Sequence, residues 1–436
     1  MTPFEIGALS VLAIVFLIYL GVYIPVALGM VSFVAIWLMR DNFTLAMNLL
    51  RLAAGDTVMQ YSFATIPLFA FMGLVVARAG LGSDIYEVMN AGFRRVRGGI
   101  GMATVGANAG FAAVTGSSIA SASVFSRVAV PQMMAYRYNK RFAVGVVAGS
   151  SVLGMIIPPS AMLIIYSFVA EQSVGDMFLA GVLPGLLLAA AFCVAIWAMA
   201  RLSPRSVGGE ELAEADAPRM PPEVVLRKVG PLVMLILVVL GGIYTGWLSP
   251  VEAGAAGSTL GLALAILRRR MSLRDFWHTL METGYITAAI LFLITAASIY
   301  SRMLGMAGLP NALAALLASS EYSFFLIMTF YVLLMIFLGT LLDTASIILI
   351  VVPLFLPLVE PMGMSLVWFG IITVVGAEIG LLTPPLGISC FVIKATLNDP
   401  NITLKDVFIG ALPFAFVMLA VLIVLINFPW LSLALL

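Results

Sequence analysis

The stretch Gly154-Met-Ile-Ile-Pro158-Pro159 recurs as Gly380-Leu-Leu-Thr-Pro384-Pro385, displaced by 226 residues. Each copy interrupts an apolar run of membrane-helix character. A helix-interior proline lacks the N–H and clashes with the carbonyl four residues back. Pro158 and Pro159 therefore release the carbonyls of Gly154 and Met155, while Pro384 and Pro385 release those of Gly380 and Leu381. Released carbonyls at membrane depth are tolerated only where they line a buried, wet cavity. There they form a cluster of hard oxygen ligands suited to a small cation.

The composition around these breaks fits a polytopic membrane protein. Of 436 residues, 62% are hydrophobic and 10% charged, against about 25% charged in a soluble domain. A net charge of +1 gives no field to attract nucleic acid. Cys193 and Cys390 lie in apolar runs, and His278 is the only histidine, which excludes a disulfide scaffold and Cys- or His-rich metal sites. His278 reads as an interfacial residue at a helix start. There is no P-loop, HExxH or GxSxG motif, so the chain is not expected to be an ATPase or an enzyme. Charge-free runs cover most of the chain. The first, 6–39, is too long for a signal peptide and follows no basic region, and it is expected to fold as two short helices around Gly21 to Pro25.

Basic residues set the orientation. Clusters at Arg94, Arg95 and Arg97, at Arg137, Lys140 and Arg141, at Arg201 to Lys228, and at Arg268 to Arg274 are placed in the cytoplasm, together with Lys394 and Lys405. Only Arg40, Arg51 and Arg302 remain outside, as do both termini.

The similarity extends beyond the breaks. At the same offset Ser118 matches Thr344 and Pro131 matches Pro357; further downstream, at a slightly larger offset, Asp176-Met-Phe-Leu-Ala-Gly-Val-Leu-Pro184 echoes Asp406-Val-Phe-Ile-Gly-Ala-Leu-Pro413. The loop Tyr136 to Arg141 is strongly basic, whereas its counterpart Val359 to Ser365 has no basic residue. The two halves therefore face opposite ways. The expected fold is an all-α polytopic membrane protein of two inverted repeats, 1–201 and 229–436, joined by a cytoplasmic linker, 202–228. Inverted repeats with midplane breaks mark secondary transporters.

Each repeat is expected to hold a helical hairpin, about 98–136 and about 322–359, before its broken helix, about 142–172 and about 366–396. In the first, Arg127 arrives nine residues after Ser118, or about 13 Å of helix. A charge near the midplane is costly, so this hairpin is re-entrant with its tip at Thr115-Gly116-Ser117-Ser118. The second tip is Leu341 to Ser346, although its return run to Val359 is nearly long enough to cross. Ser117, Ser118 and Thr344 read as helix caps, ion ligands or both. Asp343 reads as an N-cap, an ion ligand or a proton-coupled site. Glu378 is assigned a structural or gating role, and Asn108 is expected to join the two arms of its hairpin.

With these motifs aligned, the whole chain resembles the large membrane subunit of the tripartite ATP-independent periplasmic (TRAP) transporters, within a superfamily of elevator-type carriers. The resemblance is most specific in Gly116-Ser-Ser118, Ile157-Pro-Pro-Ser160, Glu171-Gln-Ser173, Phe178 to Gly185 and Glu378-Ile-Gly-Leu-Leu-Thr-Pro-Pro-Leu-Gly387. It implies a sodium-driven importer of organic acids in the bacterial inner membrane, with Na+ as coupling ion and no resident cofactor. A periplasmic binding protein would deliver substrate, and a small four-helix membrane subunit, expected as a separate chain, would clamp the scaffold. It also implies one sodium site at Gly116, Ser117, Ser118, Gly154 and Pro158, and another at Asp343, Thr344, Gly380, Thr383 and Pro384. Substrate would meet Ser117, Ser118, Ser160, Thr344, Ser346 and Ser389. Alternatives are a sodium/dicarboxylate carrier working without a binding protein, and a passive anion channel. The family pattern carries Asn where this chain has Gly376, and Gly-Leu-Asn where it has Gly387-Ile-Ser389, which leaves the substrate and the second ligand set open.

Overall fold

The computed structural model describes residues 1–93, 95–208, 220–319 and 324–436. Among these the chain is helical, and the only extended pairing is an isolated bridge between Tyr138 and Gly208. Hydrocarbon supplies no backbone partners, so a spanning chain must satisfy its own N–H and C=O groups within helices. Among the described residues, seven helices are long and apolar enough to cross a membrane: Tyr61–Arg78, Val174–Leu202, Pro222–Tyr244, Pro250–Leu267, Leu273–Ala307, Thr344–Met362 and Leu404–Asn427. An eighth candidate is the pair Lys140–Ile156 and Ala161–Val169, bent by 44° at its break. The chain is therefore a polytopic membrane protein.

The first apolar run forms two short helices, Pro3–Tyr19 and Ile24–Arg40. Helix starts carry the local signals expected of them. Thr2 with Glu5, Ser249 with Glu252, Ser272 with Asp275 and Thr403 with Asp406 all form reciprocal capping boxes.

The 226-residue offset reappears in the elements. Helices Ser118–Ala135 and Lys140–Ser151 begin 226 residues before Thr344–Val359 and Leu366–Leu381. Their N-caps Ser117 and Asn139 match Asp343 and Ser365 in the same way. Both Pro158-Pro159 and Pro384-Pro385 are cis peptides.

Two sets of helix contacts stand out. In one, Lys140–Ser151 crosses Leu404–Asn427 at Gly145 and Gly410, where a Cβ on Gly145 would lie 2.1 Å from the Gly410 carbonyl oxygen. Small residues permit such close backbone crossings in membranes. The Tyr166 hydroxyl donates to the Leu366 carbonyl at 2.6 Å, joining the first broken helix to the second. In the other group Ile24–Arg40 packs on Leu273–Ala307, and Thr65–Arg78 packs on Pro250–Leu267, whose Ser258 hydroxyl donates to Leu68 O at 2.7 Å.

Ion pairs sort the scarce charges. Arg78 pairs with Glu282 (2.6 Å), Arg268 and Arg270 with Asp84 (2.9 and 2.7 Å), Lys140 and Arg141 with Asp406 (both 2.8 Å), and Lys228 with Glu87. Arg302, assigned to the other face, pairs with Asp56 at 2.7 Å. His278 is exposed, five residues into Leu273–Ala307.

The stretch expected as a solvated linker is shorter than 202–228. Pro204–Val207 forms a helical turn, Val207 is buried, and its carbonyl accepts the Asn139 N–H at 2.8 Å. Pro222 already begins the long helix that contains Arg227 and Lys228. Residues 209–219, with Arg219, lie outside the described residues, as do Arg94 and 320–323 at the start of the second hairpin.

Candidate functional site

The first tip is a two-residue turn. Helix Gly99–Thr115 ends at Gly116, whose φ of 59° lies in the left-handed region that glycine adopts without strain. Ser117 is extended, and its hydroxyl accepts the Ala120 N–H at 3.3 Å to start Ser118–Ala135. The break Ile157–Ser160 faces this turn, and the Ala161 N–H donates to the Gly116 carbonyl at 3.4 Å. A Cβ on Gly116 would lie 2.3 Å from Pro159 O, and one on Gly154 would lie 2.7 Å from Ser117 O. Tip and break thus meet backbone to backbone. The Ser118 hydroxyl is buried there without a hydrogen-bond partner, a cost of about 1–3 kcal/mol for a buried polar group.

The second tip is longer. Helix Phe324–Gly339 ends in the turn Thr340 to Leu342, and Asp343 caps Thr344–Val359 by accepting the N–H and the hydroxyl of Ser346. Thr344, Ala345 and Ser346 therefore form the first helical turn and are not part of a loop. The Leu386 N–H donates to the Thr340 carbonyl at 3.1 Å, again joining tip to break. The close approach has shifted, however. A Cβ on Gly380 would lie 2.4 Å from the Gly339 Cα, so it is the incoming arm that touches this broken helix. The Thr344 hydroxyl donates to Glu378 Oε1 at 2.7 Å, while Glu378 Oε2 has no partner.

Two of the four carbonyls released by proline have regained donors. Met155 O accepts the hydroxyl of Ser160, which also caps Ala161–Val169. Gly380 O accepts the Thr383 N–H at 3.0 Å and the Thr383 hydroxyl at 2.9 Å. Of the expected ligands, Ser160 and Thr383 are thus engaged locally. Ser118 and Ser389 keep buried, unpartnered hydroxyls.

A cavity of about 440 Å3 lies beside the second tip, bounded by Asp343, Ala345 and Ser346, by Val22 and Tyr23 in the turn after Pro3–Tyr19, and by Leu293. Ser346 and Asp343 thus reach a space that a small solute fits. A second, more polar cleft of about 640 Å3 is lined by Asp56, Gln60, Ser167, Glu171, Ser298 and Arg302. No cluster of three or more His, Cys, Asp or Glu capable of holding a metal occurs among the described residues. Asn108 donates to Ser150 Oγ at 2.6 Å, which ties its arm to the broken helix and not to the return arm. Composition pointed to Glu378 as an acid in an apolar run, but its partner Thr344 was not legible, because 34 residues separate the two.

Residues 11–431 match the family described as "Tripartite ATP-independent periplasmic transporter, DctM component". The C4-dicarboxylate TRAP transporter large permease protein DctM of Pseudomonas aeruginosa is 33% identical over 390 residues, 87% of this chain and 87% of that protein. The ectoine/5-hydroxyectoine TRAP transporter large permease protein UehC of Ruegeria pomeroyi is 30% identical over 374 residues, 85% of each. Among solved structures, the YdaH transporter of Alcanivorax borkumensis superposes with a TM-score of 0.62 over 89% of this chain and 90% of its own at 15% identity, a likeness of fold. With the match spanning nearly the whole sequence, the chain belongs to the DctM family, the large permease component of TRAP transporters.

Proposed function

We propose that this chain carries an organic acid from a periplasmic binding protein across the bacterial inner membrane into the cytoplasm, driven by sodium entering with it. The two tip-and-break assemblies act as inverted counterparts that bind coupling ions and substrate and move as an elevator against the remaining helices. A small membrane subunit, as a separate chain, braces those static helices. One observation carries this reading above the others: each hairpin tip is seated on a proline break by a backbone hydrogen bond, Ala161 N–H to Gly116 O and Leu386 N–H to Thr340 O. Carbonyl and hydroxyl oxygens dominate both places, and hard oxygen donors without soft ligands suit an alkali cation. Sodium is here a transported ion, with Ser118 and Asp343 the side chains best placed to meet it. Helix N-termini starting at Ser118 and Thr344 present N–H groups to an anionic substrate.

The supporting experiment is uptake into proteoliposomes containing this chain, the small subunit and the binding protein. The panel would hold a C4-dicarboxylate, a sulfonate, a sugar acid and, given the ectoine relative, a zwitterion. Uptake of an organic acid that requires an inward sodium gradient and survives ATP depletion is expected. Equal uptake with sodium replaced by potassium contradicts the coupling. Downhill flux without the binding protein points instead to a carrier of the binding-protein-independent kind or a channel.

A further inference from the structure

The motif Glu171-Gln-Ser173 has no part in the tip-and-break assemblies, and it borders the polar cleft of about 640 Å3. A smaller cavity of about 230 Å3 lies next to this cleft. The two share Phe168, Glu171, Ile294, Ser298 and Arg302, so they adjoin as one recess. Its outer part is bordered by the exposed residues Asp56 and Gln60, on the face to which the charge pattern assigns Arg302. Its inner part reaches Leu349 and Pro353 on Thr344–Val359, the return arm of the second hairpin. Leu349 stands five residues after Thr344, or about 8 Å of helix. The recess therefore runs from the outer face towards the second tip.

The fold leaves the polar groups of this recess largely unused. Among the described residues Arg302 is the only basic residue lining it, and its guanidinium meets Asp56 alone, through Nη2 at 2.7 Å. That leaves another edge of the planar fork for a second carboxylate. Ser298 lies one turn before Arg302 on the same face of Leu273–Ala307. Among the described residues the Ser298 hydroxyl, the Gln60 amide and the Glu171 carboxylate make no side-chain hydrogen bond. Glu171 holds a left-handed backbone, φ 52°, which is uncommon for a residue with a side chain and gathers at ligand-binding sites. The Arg302–Asp56 pair contributes little to stability, because Asp56 is 61% exposed and solvent screens it. Charge then selects the ligand. One carboxylate suits the single guanidinium, whereas a second would face Glu171 and be repelled. Hydroxyl or ammonium groups would instead donate to Glu171 and to the Gln60 side-chain carbonyl.

We propose that this recess is a receiving site for substrate on the outer face. Arg302 and Ser298 take the carboxylate of a monocarboxylic acid, and Glu171 and Gln60 accept from its hydroxyl or ammonium groups before it passes to the second tip. Asp56 is a positioning residue that holds the guanidinium in place. This rests on the transport reading above and narrows its substrate from organic acids in general to monocarboxylates rich in hydrogen-bond donors.

The test reads the recess directly and needs no transport. Ser301 lines the smaller cavity and has no role in the proposed binding, so Ser301→Cys serves as the reporter. The purified full chain in detergent is labelled with an anionic and a cationic methanethiosulfonate reagent, each rate normalised to that with free cysteine. Cys193 and Cys390 line neither cavity, and wild type gives their background. Adding Arg302→Gln is expected to lower the anionic rate relative to the cationic one by about tenfold, the loss of one steering charge. An unchanged ratio overturns the site. Protection of the reporter by acids of equal carbon number then tests the class. Gluconate, with one carboxylate and several hydroxyls, is expected to protect at lower concentration than glucarate, which adds a second carboxylate, or hexanoate, which lacks the hydroxyls. Glu171→Gln should narrow the gap between gluconate and glucarate. Equal protection by the three acids overturns the substrate class, and no protection by any overturns the receiving role. Uptake in proteoliposomes with all three components separates the two ideas. Sodium-independent uptake beside the expected labelling keeps the site and removes the coupling, while sodium-driven uptake without any protection keeps the coupling and removes the site.

Discussion

The two tips solve one geometric problem with different chemistry. At the first, tip and break are joined by backbone alone, Gly116 and Gly154 let them touch, and the Ser118 hydroxyl is left free. At the second, the helices touch one turn earlier, at Gly339 and Gly380, and a side-chain bond from Thr344 to Glu378 fastens the tip. The first half therefore keeps an open donor and acceptor at its tip, and the second spends its hydroxyl on an acid that the first half lacks. Related assemblies in one chain thus differ in detail, one leaving its hydroxyl without a partner and the other tying its hydroxyl to a buried carboxyl.

The largest expected effect breaks the contact that both tips need. Gly380→Val places branched carbon where Gly339 already stands, and Gly116→Val adds a left-handed strain to a clash with Pro159. Each is expected to destabilise the protein by about 1–3 kcal/mol or more and to abolish uptake, measured by thermal unfolding and vesicle uptake. If either variant transports normally, backbone contact is not what joins tip to break.

Next comes the pair that sharpens the contrast. Thr344→Val strips the last partner from a buried carboxyl and should cost about 1–3 kcal/mol. Ser118→Ala removes a buried hydroxyl that bonds nothing, and should raise stability by up to about 1–3 kcal/mol while weakening sodium activation of uptake. Equal stability losses in the two variants would erase the distinction between the tips.

Smaller again is Asp406→Asn. It removes a capping carboxylate and two ion pairs whose basic partners, Lys140 and Arg141, are 38% and 51% exposed. Solvent screening limits the cost to about 1–2 kcal/mol. Arg302→Gln, at a solvent-screened pair with Asp56, should change stability by less than about 1 kcal/mol. Both are read from melting temperature.

Much of this architecture is legible in the sequence. Proline chemistry located both breaks, because a missing N–H acts locally and cannot be repaired by distant residues. The first turn falls where the sequence places it, between Gly99–Thr115 and Ser118–Ala135; the return arm of the second, free of charge, is long enough to count as a span. What sequence could not supply were the partners across space. Asn108 reaches Ser150, Ser160 closes back on Met155, and Thr344 finds Glu378, pairings fixed by helix packing and not by spacing along the chain. The linker was overestimated for the opposite reason: its polar composition hides Val207, which is buried against the loop after the first hairpin.

We propose that each tip-and-break assembly binds its own sodium ion. Sodium-dependent thermal stabilisation of the purified chain tests it, comparing wild type with Ser118→Ala and Asp343→Asn, and sodium with potassium. The account predicts that each variant loses part of the wild-type sodium response, that the double variant loses all of it, and that potassium gives none. An undiminished sodium response in the double variant, or an equal response to potassium, would contradict it.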